Sequence, residues 1–350
     1  MLNAIDFLQK IVKIYSPSGR EDAVAHFIET EANKLGFKTK IDYFNNVICE
    51  IGEGPTEILL LGHIDTVRGQ IPVRIKDDIL HGRGAVDAKG PFAAFLFAAL
   101  ACKDNLKGKK IIVAGATEEE ATGKGARALL DKFNPKYVII GEPSHWEGIT
   151  LGYKGLFILE YHQRNPLFHT AKLDQKNVIE SGIAFAERVR EYAEKFNVDK
   201  SIFDALHYRI EKFIYETDHS EERLHVEVKF RTPLNFDRKD LQKYVTNIRE
   251  GAEIDYFHAW GTGEACRTSK NTPLVKAFMK AIRAENGKPR FKLKTGTSDM
   301  NSFVKAFPHI PIVAYGPGDS HLDHTPQEAI SLSEYEKSTR VLAQVLQSLK

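Results

Sequence analysis

The chain has 350 residues, with 49 Lys and Arg against 47 Asp and Glu and a net charge of +2. That length points to two domains, and the even charge balance argues against nucleic acid or an anionic membrane as a partner. Cys49, Cys102 and Cys266 are odd in number, far apart and without a C-x-x-C, which excludes a disulfide framework or a thiolate zinc site and fits a reducing compartment.

The N-terminal stretch spreads Asp6, Lys10 and Lys13 through its apolar positions and so lacks the core of a signal peptide. The longest apolar run, Phe92 to Cys102, is too short to span a bilayer, and a soluble, cytoplasmic protein is expected. Leu2 to Tyr15 has helical spacing and is stopped by Ser16-Pro17-Ser18-Gly19; a second helix runs from near Glu21 to Gly36. Lys38 to Ile51 reads as a hairpin around Asn45-Asn46.

Ile58-Leu59-Leu60-Leu61 is apolar on both faces and reads as a buried strand of an α/β sheet. His63 and Asp65 follow Gly62, two residues apart and so on one side of the chain, at the edge where open α/β sheets carry their chemistry. An isolated His-x-Asp is a common structural pair, so the weight falls on what comes next. Asp87 sits in the glycine-rich segment Gly82 to Gly90, ahead of an apolar helix from Phe92 to Cys102. Lys109 to Gly115 is another buried strand and runs into Glu118-Glu119-Glu120; Lys136 to Ile140 is the next and delivers Glu142. Alternating strands and helices to this point give a doubly wound α/β layer with several acids and one His on a common edge.

The pattern changes after about Gly155. Leu156 to His162 is a strand, Val178 to Phe196 a helix, Leu206 to Tyr215 and Leu224 to Phe230 strands, Lys239 to Arg249 a helix and Glu253 to His258 a strand. That β-α-β-β-α-β order is a ferredoxin-like α+β unit, expected as an inserted lid over residues 156–262 between catalytic segments 1–155 and 263–350. The α/β pattern resumes with a helix from Leu274 to Glu285, the loop Thr295 to Asp299, a strand from Ile310 to Tyr315 and a helix from Ser333.

His324 lies in a glycine-rich loop, in His324-Thr325-Pro326-Gln327-Glu328. With His63, Asp87, an acid of 118–120 and Glu142 it makes five ligands, one of them shared. Such a set suits two zinc ions, which polarise a carbonyl and make hydroxide from water near neutral pH. The acid beside the ligand acid is then the general base. Two lookalikes fall away: Lys124 is followed by Gly125 rather than Ser or Thr, so Gly115 to Lys124 is no phosphate loop, and Gly82-x-Gly84 lacks the third glycine of a dinucleotide fingerprint.

Taken in order, GHIDTV, GRGAVDAKG, EEE, GEPS and HTPQE, with an inserted lid, resemble the co-catalytic zinc aminoacylase and carboxypeptidase family, over the whole chain. The resemblance implies a zinc-exopeptidase-like fold. It implies His63 and Glu142 on one ion, His324 and one acid of the triplet on the other, Asp87 bridging them, and Asp65 orienting the His63 ring. The family's acidic motif places base then ligand last, which implies Glu119 as base and Glu120 as ligand. The register one residue earlier, Glu118 and Glu119, stays open, as does His321 in place of His324. His169, in Phe168-His169-Thr170-Ala171, resembles the family's oxyanion-stabilising lid histidine, which often acts across a homodimer formed through the lid. Arg231 is a candidate grip for a substrate carboxylate or a strand-end ion pair.

Lys294 to Asn301, reading KTGTSDMN, together with the Glu triplet and Gly152-Tyr153-Lys154-Gly155, resembles one branch of that family. Its members release lysine, and in archaeal relatives ornithine, from the acidic amino-group carrier protein LysW, in lysine and arginine biosynthesis. Gly296 and Thr297 lie in a turn of small residues whose backbone N–H groups suit a carboxylate. Lys172, Lys176, Arg188 and Arg190 are candidates for a basic face toward the carrier. Cobalt is the alternative to zinc. The competing functions are a small-molecule deacylase acting on acetylornithine or succinyl-diaminopimelate, and a non-catalytic binding protein on the same fold.

Overall fold

The computed structural model describes residues 2–169, 176–257 and 263–350. It divides into two units, one of Met1–Gly152, Arg267–Leu293 and Ser298–Lys350, the other of Tyr153–Cys266 and Lys294–Thr297. The first unit is built on a nine-stranded mixed sheet. Its order is Lys38–Ile41, Val47–Ile51, Lys109–Ala116, Thr56–His63, Tyr137–Gly141, Ile312–Ala314, Gly148–Tyr153 and Cys266–Arg267, with Arg290–Lys294 also paired to Gly148–Tyr153. Thr56–His63 has a parallel neighbour on each side. Ile58 to Leu61 are fully buried, which is why the run is apolar without alternation.

Gly62 stands in register with Gly115 on one neighbour and Gly141 on the other. A Cβ at Gly115 would meet the Phe92 ring at 3.0 Å, and one at Gly141 the Phe95 ring at 2.9 Å. The glycine row thus lets the helix Lys89–Ala101 lie close against the sheet; that helix is apolar on all sides and buried along most of its length. Helices Ala4–Lys13, Asp22–Leu35, Pro273–Ala284 and Leu332–Ser348 add their apolar stripes to the same core. Gly36 ends the second of them in the left-handed conformation at φ 91°, the usual helix stop.

Several elements escape the sequence reading. A small sheet joins Arg74–Lys76, Ile79–His81 and Ala329–Ser331, whose strands are too short to show a period. Gly148–Tyr153 and Arg290–Lys294 are strands where none was expected, and the helix Asp299–Ala306 starts inside the supposed loop. Ser298 and Asn301 form its capping box.

In the second unit, four antiparallel strands run in the order His207–Thr217, Glu221–Thr232, Gly155–Pro166 and Glu253–Phe257. Helices Val178–Phe196 and Arg238–Ile248 supply Phe185, Val189, Leu241 and Val245 to a core with Leu159, Tyr161, Val226 and Val228, the ferredoxin-like arrangement. Among the described residues no helix is long and apolar enough to cross a membrane.

Candidate metal centre

His63 closes its strand with almost no exposure. Its Nδ1 lies 3.1 Å from the Asp65 carbonyl oxygen and 3.4 Å from Asp65 Oδ1. Two acceptors at Nδ1 fix the proton there and leave Nε2 to face outward. Nε2 lies 3.1 Å from Asp87 Oδ1. The other oxygen of that carboxylate, Asp87 Oδ2, lies 3.2 Å from His324 Nε2, which is also 2.9 Å from Glu120 Oε1. One carboxylate thus faces two imidazoles, and the ligand-type atoms fall into two groups within 4.8 Å: His63, Glu119 and Glu120, and Asp87, Glu120 and His324. Glu142 belongs to neither group. It lies buried just past Tyr137–Gly141, and its charge acts on Glu119.

Asp65 does more than hold a ring. Its carboxylate accepts from Ser18 Oγ at 2.7 Å and from the backbone N–H groups of Glu119 and Glu120, both at 3.1 Å. It thereby ties the acidic loop to the strand end. Within that loop Glu118 takes φ 55° and pairs with Lys124 while accepting from Thr122 Oγ1, whereas Glu119 is buried. The two rival histidines, both exposed, separate by what they touch. His321 is exposed and bonded to Asp319 at 2.8 Å, while His324, at φ 61°, meets Asp87 and Glu120.

The electrostatics are those of an acid-rich pocket. Burial pushes Glu119 well above the ordinary carboxylate range, with Asp299, Glu142 and Glu120 adding to it against the pull of His63. Burial likewise raises Glu120, with Asp87, and Asp299, to about 7. For His63, burial opposes the charged ring, but the bonds from Asp65 and Asp87 prevail and hold it high. Burial would raise Asp87 too, yet His324 and His63 pull it down. Buried acids in excess over the imidazoles are the donor set a divalent cation satisfies, and an aspartate with each oxygen on a different imidazole fits a bridging ligand.

The sequence reading missed Asp299, Ser18 and the pair Glu328–Arg83. Glu328 stood inside the quoted HTPQE and Asp299 inside TGTSD, so the signal was present without a role attached. In the second unit, Arg231 Nη1 donates to Thr297 Oγ1 at 3.0 Å, and His169 is exposed. A Cβ at Gly296 would meet nothing within 4 Å. Next in the chain, the N–H of Ser298 is taken by Asn301 Oδ1 at 2.9 Å. Lys176 and Arg188 both pair with Glu250, and Arg190 with Glu194, so they form no unopposed basic face; Lys172 lies outside the described residues.

Paired imidazoles around one carboxylate at the ends of parallel strands, with a second buried acid alongside, are what a metal-dependent hydrolase requires, and that is the class of this chain. The family model of Peptidase family M20/M25/M40 matches residues 59–348, and the chain belongs to that family. A protein of Pyrococcus abyssi, provisionally named a LysW-lysine/LysW-ornithine hydrolase, is 42% identical over 348 residues, covering 99% of this chain and 94% of its own. The LysW-lysine hydrolase of Deinococcus radiodurans is 38% identical over 353 residues, covering 99% and 97%. Among solved structures, the M20 family metallo-carboxypeptidase Sso-CP2 of Sulfolobus solfataricus superposes with a TM-score of 0.79 at 19% identity, over 99% of both chains. The Bacillus subtilis YXEP protein, a dinuclear metal-binding peptidase of the M20 family, gives 0.70 at 14% identity, over 98% of this chain and 96% of that one.

Proposed function

We propose that this chain is a two-zinc amide hydrolase that releases lysine, ornithine or both from the C-terminal glutamate of LysW, serving lysine and arginine biosynthesis in the cytoplasm. The observation that carries the reading is Asp87, whose two oxygens lie against His63 and His324. The near full-length likeness to hydrolases named for LysW substrates supports the carrier as substrate.

His63, Asp87 and Glu142 would hold one ion, and Asp87, Glu120 and His324 the other. Zinc, or cobalt, in those places supplies a Lewis acid for the amide carbonyl and acidifies water. The chain's own residues do the rest. Asp65 keeps the proton on His63 Nδ1 and so keeps Nε2 available. Glu119, whose burial favours a held proton, takes one from the attacking water on its carboxylate and passes it to the departing amine nitrogen. His169 donates to the developing oxyanion, and Arg231, Gly296 and Thr297 bind substrate. The Arg231–Thr297 bond supports their acting together. A homodimer through the lid is supported by the edge strand His207–Thr217, which leaves Phe213, Ile214 and Tyr215 exposed.

The test is single-turnover hydrolysis by the zinc-loaded enzyme of LysW bearing lysine or ornithine, beside free acetylornithine and succinyl-diaminopimelate. Preference for the carrier substrates is expected. Preference for a free acyl amino acid would keep the metal chemistry and discard the carrier, and no turnover of any substrate would leave a binding protein.

A further inference from the structure

We propose that the sheet of the second unit carries a separate divalent-cation site, formed by His162, His225 and Glu160 with Asp255 beside them. His162 and His225 are directly opposed across the strands Gly155–Pro166 and Glu221–Thr232. Glu160, two residues before His162, shares its face, and Asp255 opposes Glu160 from the strand Glu253–Phe257. The alternate residues Leu159, Tyr161, Leu224 and Val226 belong to the core beneath the helices, so register collects the two imidazoles on the other face with Glu160 and Asp255, and with Glu253 and Glu227, the last paired with Lys212 and Lys229.

Glu160 Oε2 lies 3.3 Å from His162 Nε2 and 3.6 Å from His225 Nε2; His162 Nε2 lies 3.9 Å from Asp255 Oδ2. Two ligands about 2.0–2.1 Å from a tetrahedral zinc stand about 3.3–3.4 Å from each other. The two shorter separations are therefore close to the edges of such a tetrahedron. An independent observation agrees: His225 Nε2 is shut off from solvent and has no hydrogen-bond partner, a state that costs free energy unless something satisfies the nitrogen. The rings stack at 4.6 Å with 11° between their planes, and one ligand atom from each of Glu160, His162 and His225 lies within 4.8 Å of the other two. Imidazole with carboxylate selects a borderline divalent ion, zinc foremost, and the ion would tie three strands of the sheet together.

The inference is independent of the proposed reaction. Its test uses the full chain, wild type and the double variant H162Q/H225Q, loaded with Zn2+, dialysed, and assayed for zinc per chain by plasma emission spectrometry. The wild type is expected to retain one equivalent more than the double variant, with hydrolysis unchanged, and Glu160→Gln to weaken retention of that equivalent. Equal zinc in wild type and double variant overturns the site and leaves a stacked histidine pair beside a carboxylate. If circular dichroism shows the double variant unfolded, His162→Gln alone is counted, with the same two outcomes.

Discussion

Glu328 accepts the backbone N–H groups of Val86 and Asp87 at 3.0 and 3.1 Å, so the loop that carries His324 also fixes the loop that carries the shared carboxylate. Its other oxygen takes Arg83 Nη1 at 2.7 Å in a nearly closed environment. Removing one member of a buried ion pair costs about 3–5 kcal/mol, because the remaining charge is stranded. Glu328→Ala is expected to lower unfolding free energy by about that amount and to lower zinc retention with it, read by urea denaturation and metal content. Glu328→Gln keeps an acceptor for the two N–H groups and is expected to recover part of the metal. Unchanged stability in the alanine variant would refute the coupling of the two loops.

The three consecutive glutamates separate by what they touch. Glu119→Gln is expected to keep its zinc and lose turnover by roughly 10²-fold to 10⁴-fold, the range of a general base. Glu118→Gln loses the charge paired with Lys124 and keeps an acceptor for Thr122 Oγ1, away from the imidazoles, and is expected to stay near the wild-type rate. His324→Ala should shed metal before activity is even considered, while His321→Ala should not. Rate and zinc per chain, measured on the same four preparations, decide each assignment; a near-normal rate for Glu119→Gln removes it as the base.

Much of this was legible because a strand end is a local feature. Ile58 to Leu61 names a buried strand of an α/β sheet, and His63 and Asp65 past Gly62 the edge beyond, all without knowledge of distant contacts. The lid was legible for a similar reason, since its strands and helices change period in a fixed order. Three identical residues, by contrast, carry no internal mark. Only the left-handed turn at Glu118 and its pairing with Lys124 distinguish Glu118 from Glu119. Asp299 closes what reads as a loop, and its burial at the start of a helix depends on packing that no local pattern encodes. His162 and His225 are far apart in the chain, and only strand register brings them face to face.

The exposed edge strand His207–Thr217 makes the dimer testable. Its Ile210 and Tyr215 are both exposed, and an edge with apolar side chains and free ladder groups favours pairing with a second copy. If the wild type is the proposed dimer by light scattering, Ile210→Lys with Tyr215→Lys is expected to make it a monomer while leaving zinc content and far-UV dichroism unchanged. A wild type that is monomeric at every concentration would remove the lid dimer.

The metal-free protein should depend on pH in a direction that Asp299 and His324 set together with the raised His63, Glu119 and Glu120. Burial, against the pull of His63 and Arg127 and with the charge of Asp65 adding to it, pushes Asp299 up to about 7; the bonds from Asp87 and Glu120 raise His324 to about 10. Against unfolded values of about 3.9 and about 6.5, the folded chain holds an extra proton on Asp299 between about pH 4 and 7 and on His324 between about 6.5 and 10. Where the folded state binds more protons, stability falls as pH rises. His324 thus stabilises fully below its unfolded value, and that contribution is lost as pH rises through about 10. Asp87, held low by His324 and His63 despite burial, acts oppositely but only at the acid end. It stabilises above the unfolded carboxylate value, and this is lost as pH falls toward its lowered one. Urea denaturation of chelated protein is therefore expected to show stability declining from about pH 5 to about pH 9, with Asp299→Asn flattening the lower half. Zinc-loaded protein should trend the other way over the same range, because ligands must shed protons to bind metal. A metal-free profile that is flat or rising would show that neither Asp299 nor His324 holds the extra proton.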